Sequence, residues 1–374
     1  MTMMAGRRWR VLLVYAASAR NATFSYQQAW PRHFGAHPGF EVTPLNLGGR
    51  GLTDRFGALW AVRRWRGDAV VLLHSVFSNT QELNGRLLDA VARRPEPKAY
   101  FIGNEYKAMP EKMRFCEQLG VSVLISQCSS TVVHAMYRER LGCAVTGIPN
   151  TGLDISLFAP ARPVEERPID LGYRAETSPS YLGHRERTDI ADFFRERAAG
   201  YGVTVDISLD RRDRFDEAGW AGFLNRCKGQ LGTEAGGDYF ELTDATRLAV
   251  NAFQHHHPEA TFAEIRSRFF DGYPHPVPLR VMSGRHVEAA GTRTAQILFE
   301  GHYDGYFRPD EHYIPLRKDF SNADEAVRKF KDRAYACRIA DNAYSLARQE
   351  LTYERLIDRF SRALADVGSP ALAR

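Results

Sequence analysis

Short runs of apolar, mostly β-branched residues recur along the chain, and turn residues bound each run. In the first half they are VLLVY (11–15), FEVTPL (40–45), AVVLLHSV (69–76), KAYFIG (98–103), VSVLIS (121–126) and AVTGI (144–148). Runs of this length and composition predict strands. Helical patterns such as TQELNGRLLDAVARR (80–94) and STVVHAMYRERLG (130–142) lie between them. Near-continuous apolar strands that alternate with helices predict a parallel sheet covered on both faces.

The segment IPNTGLDISLFAPARPVEERP (148–168) breaks this rhythm with prolines, Gly152 and charges, and reads as an interdomain linker. A second alternation follows: IDLGYRA (169–175), VTVDISL (203–209), KGQLGT (228–233) and AQILF (295–299). A helical insert separates the last two. Asp244 is placed to cap one of its helices, which runs toward HHH (255–257), and Thr261 with Glu264 forms a capping-box pair. In TYERLIDRFSRAL (352–364), Leu356, Ile357, Phe360 and Leu364 share one helical face, which predicts a docking helix. The expected architecture is α/β. It comprises a Rossmann-like domain over 1–155, a second over 156–350, and a terminal helix over 351–374 that packs back toward the first.

Composition leaves that picture intact. The 374 residues are 44% hydrophobic and 25% charged, as in a globular chain of about two domains. No apolar run reaches the length of about 18 residues that a membrane helix needs. MAGRRWRVLLVYAASARNA near the start imitates a leader with its basic front and A-x-A triplet, but reads better as a first buried strand. The five cysteines (116, 128, 143, 227, 337) show no C-x-x-C spacing, and their odd count suits reduced thiols in a cytoplasm.

Charge is uneven. Residues 1–155 carry 19 Lys and Arg against 11 Asp and Glu, whereas the remainder carries 31 against 34. A basic half either contacts something anionic or presents a solvated basic face. No helix-turn-helix, zinc-finger or RNP-like pattern is present, so a nucleic-acid partner is not expected. The two RRWR stretches (7–10 and 63–66) set a tryptophan among arginines. They read either as anionic-membrane contacts or as core tryptophans beside solvated arginines.

Several chemistries lack their motifs. There is no G-x-S-x-G elbow, P-loop or Asp-x-Asp, and GQLGTEAGGDYFE (229–241) does not match G-x-G-x-x-G. Adjacent histidines in HHH point to different helix faces and chelate poorly.

Two phrases carry a resemblance. IPNTGLDISLFAP (148–160) and SGRHVEAAGTRTAQIL (283–298), followed by DEHYIPLRKDFSNADEAVRKFKD (310–332), resemble segments of GT-B-fold glycosyltransferases. The nearest group is family 1/4-like, which includes CgeB-type and bacterial surface-polysaccharide proteins. The resemblance implies two Rossmann-like domains facing a cleft, with the donor on the second. It implies that Ser283, Gly284, Arg285 and Thr292 belong to a donor-binding segment. Its helix would point its N-terminus at a diphosphate, and Glu288 would hold ribose hydroxyls. The bland alternative for Glu288 is a carboxylate that only complements the helix dipole. Many relatives carry a second glutamate eight positions earlier, where this chain has Arg280, expected either to bind a carboxylate or phosphate on the donor sugar or to face solvent.

The family's metal-free members place cations after the first strand of the second domain. Arg174 fits that position, with Arg185 and Arg187 behind it and Lys228 less well placed. Thr233 and Glu234 are candidates for the base or sugar. His74 and Glu105, each after an apolar strand, are candidates to orient the acceptor hydroxyl or take its proton; AASARNATFSY (16–26) is a further candidate lining. The expected activity is retaining, metal-independent transfer from a nucleotide-diphosphate sugar to a sugar or lipid-linked acceptor, in bacterial surface glycan synthesis. The expected setting is cytoplasmic, or peripheral at the inner membrane face. A sugar-nucleotide epimerase and an inactive nucleotide-sugar-binding protein are the rival readings.

Overall fold

The computed structural model describes residues 8–18, 25–49, 52–273 and 277–368. By its internal contacts the chain forms two compact units: 1–150 together with 353–374, and 151–352.

The first unit begins with β1 (Trp9–Tyr15), α1 (Ser25–Ala36), β2 (Phe40–Asn46), α2 (Leu52–Arg64) and β3 (Ala69–Leu72). It continues through α3 (Gly85–Ala92), β4 (Lys98–Phe101), α4 (Met109–Leu119), β5 (Val123–Ser126), α5 (Thr131–Leu141) and β6 (Ala144–Gly147). The strands form one parallel sheet in the order β2-β1-β3-β4-β5-β6. β1 to β2 steps one way along the sheet and every later crossover steps the other way. Right-handed crossovers therefore put α1 on one face and α2 to α5 side by side on the other. β3, β4 and β5 are buried at every position, as their near-continuous apolar runs require, with Lys98 and Ser126 the polar members.

The second unit runs β7 (Ile169–Arg174), α6 (Glu186–Tyr201), β8 (Val205–Ser208), α7 (Glu217–Leu224) and β9 (Cys227–Gly232). An antiparallel pair, β10 (Ala235–Gly237) and β11 (Leu279–Val281), carries α8 (Ala245–His256) and α9 (Phe262–Phe269) between its strands. Then come α10 (Gly284–Gly291), β12 (Ala295–Phe299), β13 (Ile314–Leu316), α11 (Ala323–Lys331) and α12 (Arg333–Glu350). The main sheet is parallel, in the order β13-β12-β9-β7-β8. Leu171, Phe194, Leu231, Ile297 and Ile339 lie in its core.

The expected capping box forms: Thr261 Oγ1 accepts from the Glu264 amide (3.3 Å) and Glu264 Oε2 from the Thr261 amide (2.6 Å). Asp244 stands at the N-cap position of α8, where its carbonyl accepts from the Leu248 amide (3.1 Å), but at a φ of +60° its side chain makes no cap bond and grips Arg247 instead. The final helix, α13 (Tyr353–Gly368), returns to the first unit and packs on α1. Leu356, Ile357, Phe360 and Leu364 are fully buried, each adding roughly 1.5–3 kcal/mol. Phe360 meets the rings of Phe34 and Phe101 at 5.6 and 5.1 Å. All five cysteines are free thiols.

Candidate functional site

Helix α10 organises the carboxyl end of the second sheet. It precedes β12 and packs against it, so its N-terminus lies where the parallel strands end. The linker is built into the same feature. A Cβ on Gly284 would meet Thr151 Oγ1 at 2.4 Å, and one on Gly291 would meet Leu153 Cδ1 at 2.3 Å and the Phe158 carbonyl at 2.7 Å. The two phrases noticed separately in the sequence are therefore one packed element, and Gly284 makes room for the linker.

The charges around α10 are arranged against its dipole. At the C-terminal end, buried Arg167 donates to the Thr292 carbonyl (2.8 Å) and to Thr294 Oγ1 (2.9 Å), where a cation is favourable. The N-terminal end of the dipole is the positive one, yet Arg285 sits in its first turn. Ser283 makes no side-chain cap bond there. Burial lowers the pKa of the Arg285 guanidinium; Tyr173 and Glu288 oppose this, whereas Arg187 and Arg214 reinforce it. Arg214 is paired with Glu176 at 3.0 Å. Arg187, in the first turn of α6, and Arg285 make no side-chain hydrogen bond or ion pair among the described residues. Tyr173, at the end of β7, is fully buried, and its hydroxyl has no hydrogen-bond partner among the described residues. Burial raises its pKa, while Arg285 and Arg187 pull it back. A positive helix end, two arginines without an ion pair among the described residues and a buried phenol together make surroundings that favour an anion.

Glu288, one turn into α10, is buried, and its Oε2 accepts a 2.7 Å bond from Trp220 Nε1. Trp220, on α7, gave no sequence signal for this role. Thr292 closes the helix: its hydroxyl donates to the Ala289 carbonyl (3.0 Å).

Other expected site residues are occupied within the fold. Arg174 bonds Asp206 Oδ1 at 2.7 Å and lies 4.4 Å over the Phe223 ring, tying β7 to β8. Arg185 pairs with Asp189 (3.7 Å) and Lys228 with Asp170 (2.8 Å). Arg280 donates to both Glu186 oxygens (3.0 and 2.9 Å) and to Asp238, so its guanidinium already has carboxylate partners. Thr233 donates to Glu186 as well. Glu234 Oε1 accepts from the amides of His302 (3.1 Å) and Tyr303 (2.7 Å), capping a short 3-10 turn. Its pKa is raised by burial. Within the second unit the structure thus gathers Tyr173, Arg187 and Glu288 around Arg285, and gathers Arg280 and Thr233 on Glu186, whose charge also reaches Tyr173.

In the first unit, Glu105 is saturated by Ser126 Oγ (2.8 Å), the Gln127 amide (2.6 Å) and the Tyr137 hydroxyl (2.8 Å). His74 is buried among Tyr26, Trp30 and Phe101. Burial lowers its pKa to about 3, and its Nε2 has no partner. It is a neutral imidazole at physiological pH. A cavity of about 560 Å³ opens beside the ends of β1 and β2, lined by Tyr15, Ser18, Gln28, Arg32 and Asn46. Positions 19–24 of the expected 16–26 lining lie outside the described residues. A second cavity, about 360 Å³, lies at the amino ends of β7, β9 and β12. This is the end of a parallel sheet where ligands are not expected. Its charges are already paired, Lys228 with Asp170, Arg293 with Asp341 and Arg333 with Glu165.

No protein-family model matches the chain, and no curated protein matches it in sequence. Its fold has counterparts among solved structures. An alpha-glucosyltransferase in complex with UDP and a 13-mer DNA containing a HMU base aligns with a TM-score of 0.61 at 10% identity, over 96% of this chain and 100% of that one. HepE of Anabaena, in complex with UDP-glucose, gives 0.53 at 12%, over 96% and 100%. Sucrose-phosphate synthase from Thermosynechococcus elongatus gives 0.52 at 12%, over 96% and 99%. With two parallel α/β sheets of Rossmann type and a C-terminal helix, the chain has the GT-B fold of these structures.

Proposed function

We propose that this protein is a glycosyltransferase that moves a sugar from a nucleotide-diphosphate sugar to an acceptor hydroxyl, with retention and without a metal. The observation that carries this reading is the uncompensated pair Arg187 and Arg285 at the positive end of α10, beside the orphaned Tyr173 hydroxyl. A nucleoside diphosphate supplies the missing charge. In transfer, negative charge builds on the departing phosphate oxygen, and fixed cations stabilise it most when water is excluded. Glu288, oriented by Trp220, holds the ribose hydroxyls. UDP and UDP-glucose in the structural counterparts support uridine as the base. The basic first unit takes the acceptor, a sugar or lipid-linked carrier in surface glycan synthesis, at the cytoplasmic face of a membrane.

The test is calorimetric titration with UDP and UDP-sugars, followed by product analysis with and without chelator. Binding and chelator-resistant release of UDP only with acceptor present support the proposal; no nucleotide binding overturns it. Interconversion of the donor sugar without acceptor would indicate the epimerase reading instead. Glu288→Ala is expected to weaken UDP binding by roughly 1.5–3 kcal/mol, as for a charged hydrogen bond, with the fold retained by circular dichroism. Unchanged affinity in the folded variant removes Glu288 from the donor site.

A further inference from the structure

The tryptophans of the two RRWR stretches are not the exposed ones. Trp65 is buried, with Nε1 donating to Thr43 Oγ1 (3.2 Å), and Trp9 is half-buried. The exposed aromatic residues lie just before the second stretch, on α2. Phe56 is 67% exposed and Trp60 is 63% exposed. These two, with Arg63 and Arg64, recur at i, i+4, i+7 and i+8 and share one helix face. Ala58 and Val62, on the other face, are buried. The outer face belongs to the α2–α5 layer, and no described element of the unit covers Phe56 or Trp60.

Its charge has one sign. Residues 56–66 contain three arginines and no acid. Arg63 and Arg64 form no ion pair among the described residues, and the Arg64 guanidinium lies 4.8 Å from the Trp60 ring centre. Arg66 turns back to the Arg63 and Trp65 carbonyls (3.2 and 2.8 Å). The helix dipole favours arginines at a C-terminus. It gives no reason to expose a phenylalanine and a tryptophan beside them, at a cost in hydration.

We propose that the outer face of α2, from Phe56 to Arg64, docks on an anionic phospholipid surface. The aromatic rings enter the headgroup boundary, where tryptophan is favoured, and the arginines meet lipid phosphates. The proposal supplies a location for the lipid-linked acceptor of the proposed function. It is measured without donor or acceptor, so either idea can fail alone.

The full chain is mixed with vesicles of phosphatidylcholine, with and without phosphatidylglycerol, and sedimented at low and high salt. Binding is expected only with phosphatidylglycerol and only at low salt, since the Debye length falls to about 3 Å at 1 M. The double variant Phe56→Ala, Trp60→Ala and the double variant Arg63→Gln, Arg64→Gln should each bind on the order of tenfold or more weakly. Brominated lipid should quench a fraction of the wild-type tryptophan emission. Trp60→Phe should lose that quenching yet still sediment, which covers the case of a double variant that unfolds. No binding at low salt, or full binding by folded double variants, overturns the proposal. So does binding of a DNA oligonucleotide through this face with vesicles left unbound.

Discussion

Replacing Arg285 by alanine should lower kcat on the order of 10²-fold or more, while the ligand-free protein melts no lower than the parent. The two halves of this result have one cause. Arg285 forms no ion pair among the described residues, with Glu288 its one opposing carboxylate, and it shares the positive end of α10 with Arg187. In the free enzyme that is a cost, so removing the guanidinium relieves repulsion. In the transition state it supplies charge aimed at the departing phosphate, and loss of one such donor typically costs that factor in rate. Arg187→Ala should act in the same direction, and UDP affinity should fall in both variants. Arg174→Ala should do the reverse. It removes the bond to Asp206 and the stacking on Phe223, so melting temperature should fall while UDP affinity in the surviving fold stays close to normal. A rate loss in Arg174→Ala without a stability loss, together with a fully active Arg285→Ala, would return the role to Arg174. Steady-state kinetics and thermal melts of the three variants decide the matter.

The fold was legible because the central strands, buried on both faces, read as near-continuous apolar runs and turn residues bound the edge strands. All ten predicted strands form, and the docking face of α13 was visible from its spacing alone. The strands that escaped notice, β10, β11 and β13, are three residues each and carry too few positions to show a period. Helix α1 was hidden by Pro31 inside it, a residue that normally ends a helix. Packing of Trp30 and Phe34 against Phe101, Tyr353 and Phe360 supports that helix from residues far along the chain.

The site was legible only where its chemistry is local. The small residues before Glu288 mark a helix start, and Arg285 lies within it. What the sequence withheld is pairing. Arg174 and Arg187 are equally cationic on paper. Only the fold shows that Asp206 pairs with one and that the other has no ion pair among the described residues. Trp60 was passed over for Trp65 for a similar reason: composition highlights the arginines around Trp65, whereas burial depends on which side of α2 faces the sheet.

Arg280→Leu is expected to destabilise the second unit by roughly 3 kcal/mol or more, the cost of leaving a buried carboxylate short of its partner. Side chains of Arg280 and Glu186 are 11% and 9% exposed, and they share two hydrogen bonds. The remaining charged partners, Lys318 (52%) and Asp238 (39%), reach water and rehydrate easily. Glu186→Leu alone should also destabilise, because it leaves Arg280 buried with Asp238 only. The double variant should recover most of the loss, since two apolar side chains replace a buried pair without stranding a charge. The same network sets an acid limit. Burial raises the Glu186 pKa, but Arg280, His184, Lys318 and Thr233 outweigh it and hold the carboxyl at about 2. Its folded pKa is below the unfolded value, so its contribution is complete above about 4.5 and is lost as pH falls toward 2. His286, lowered to about 4 chiefly by burial, makes the unfolded state the stronger proton binder from about 6.5 downward, which starts the decline earlier. Denaturant melts at stepped pH should therefore show wild-type stability falling from about pH 6.5 and steepening below about 4.5. In the Glu186→Leu, Arg280→Leu double variant, the part below 4.5 should flatten. An acid profile in the double variant that matches wild type would show that the pair does not govern acid stability. Additive single losses, with no recovery in the double variant, would show that the two side chains act independently.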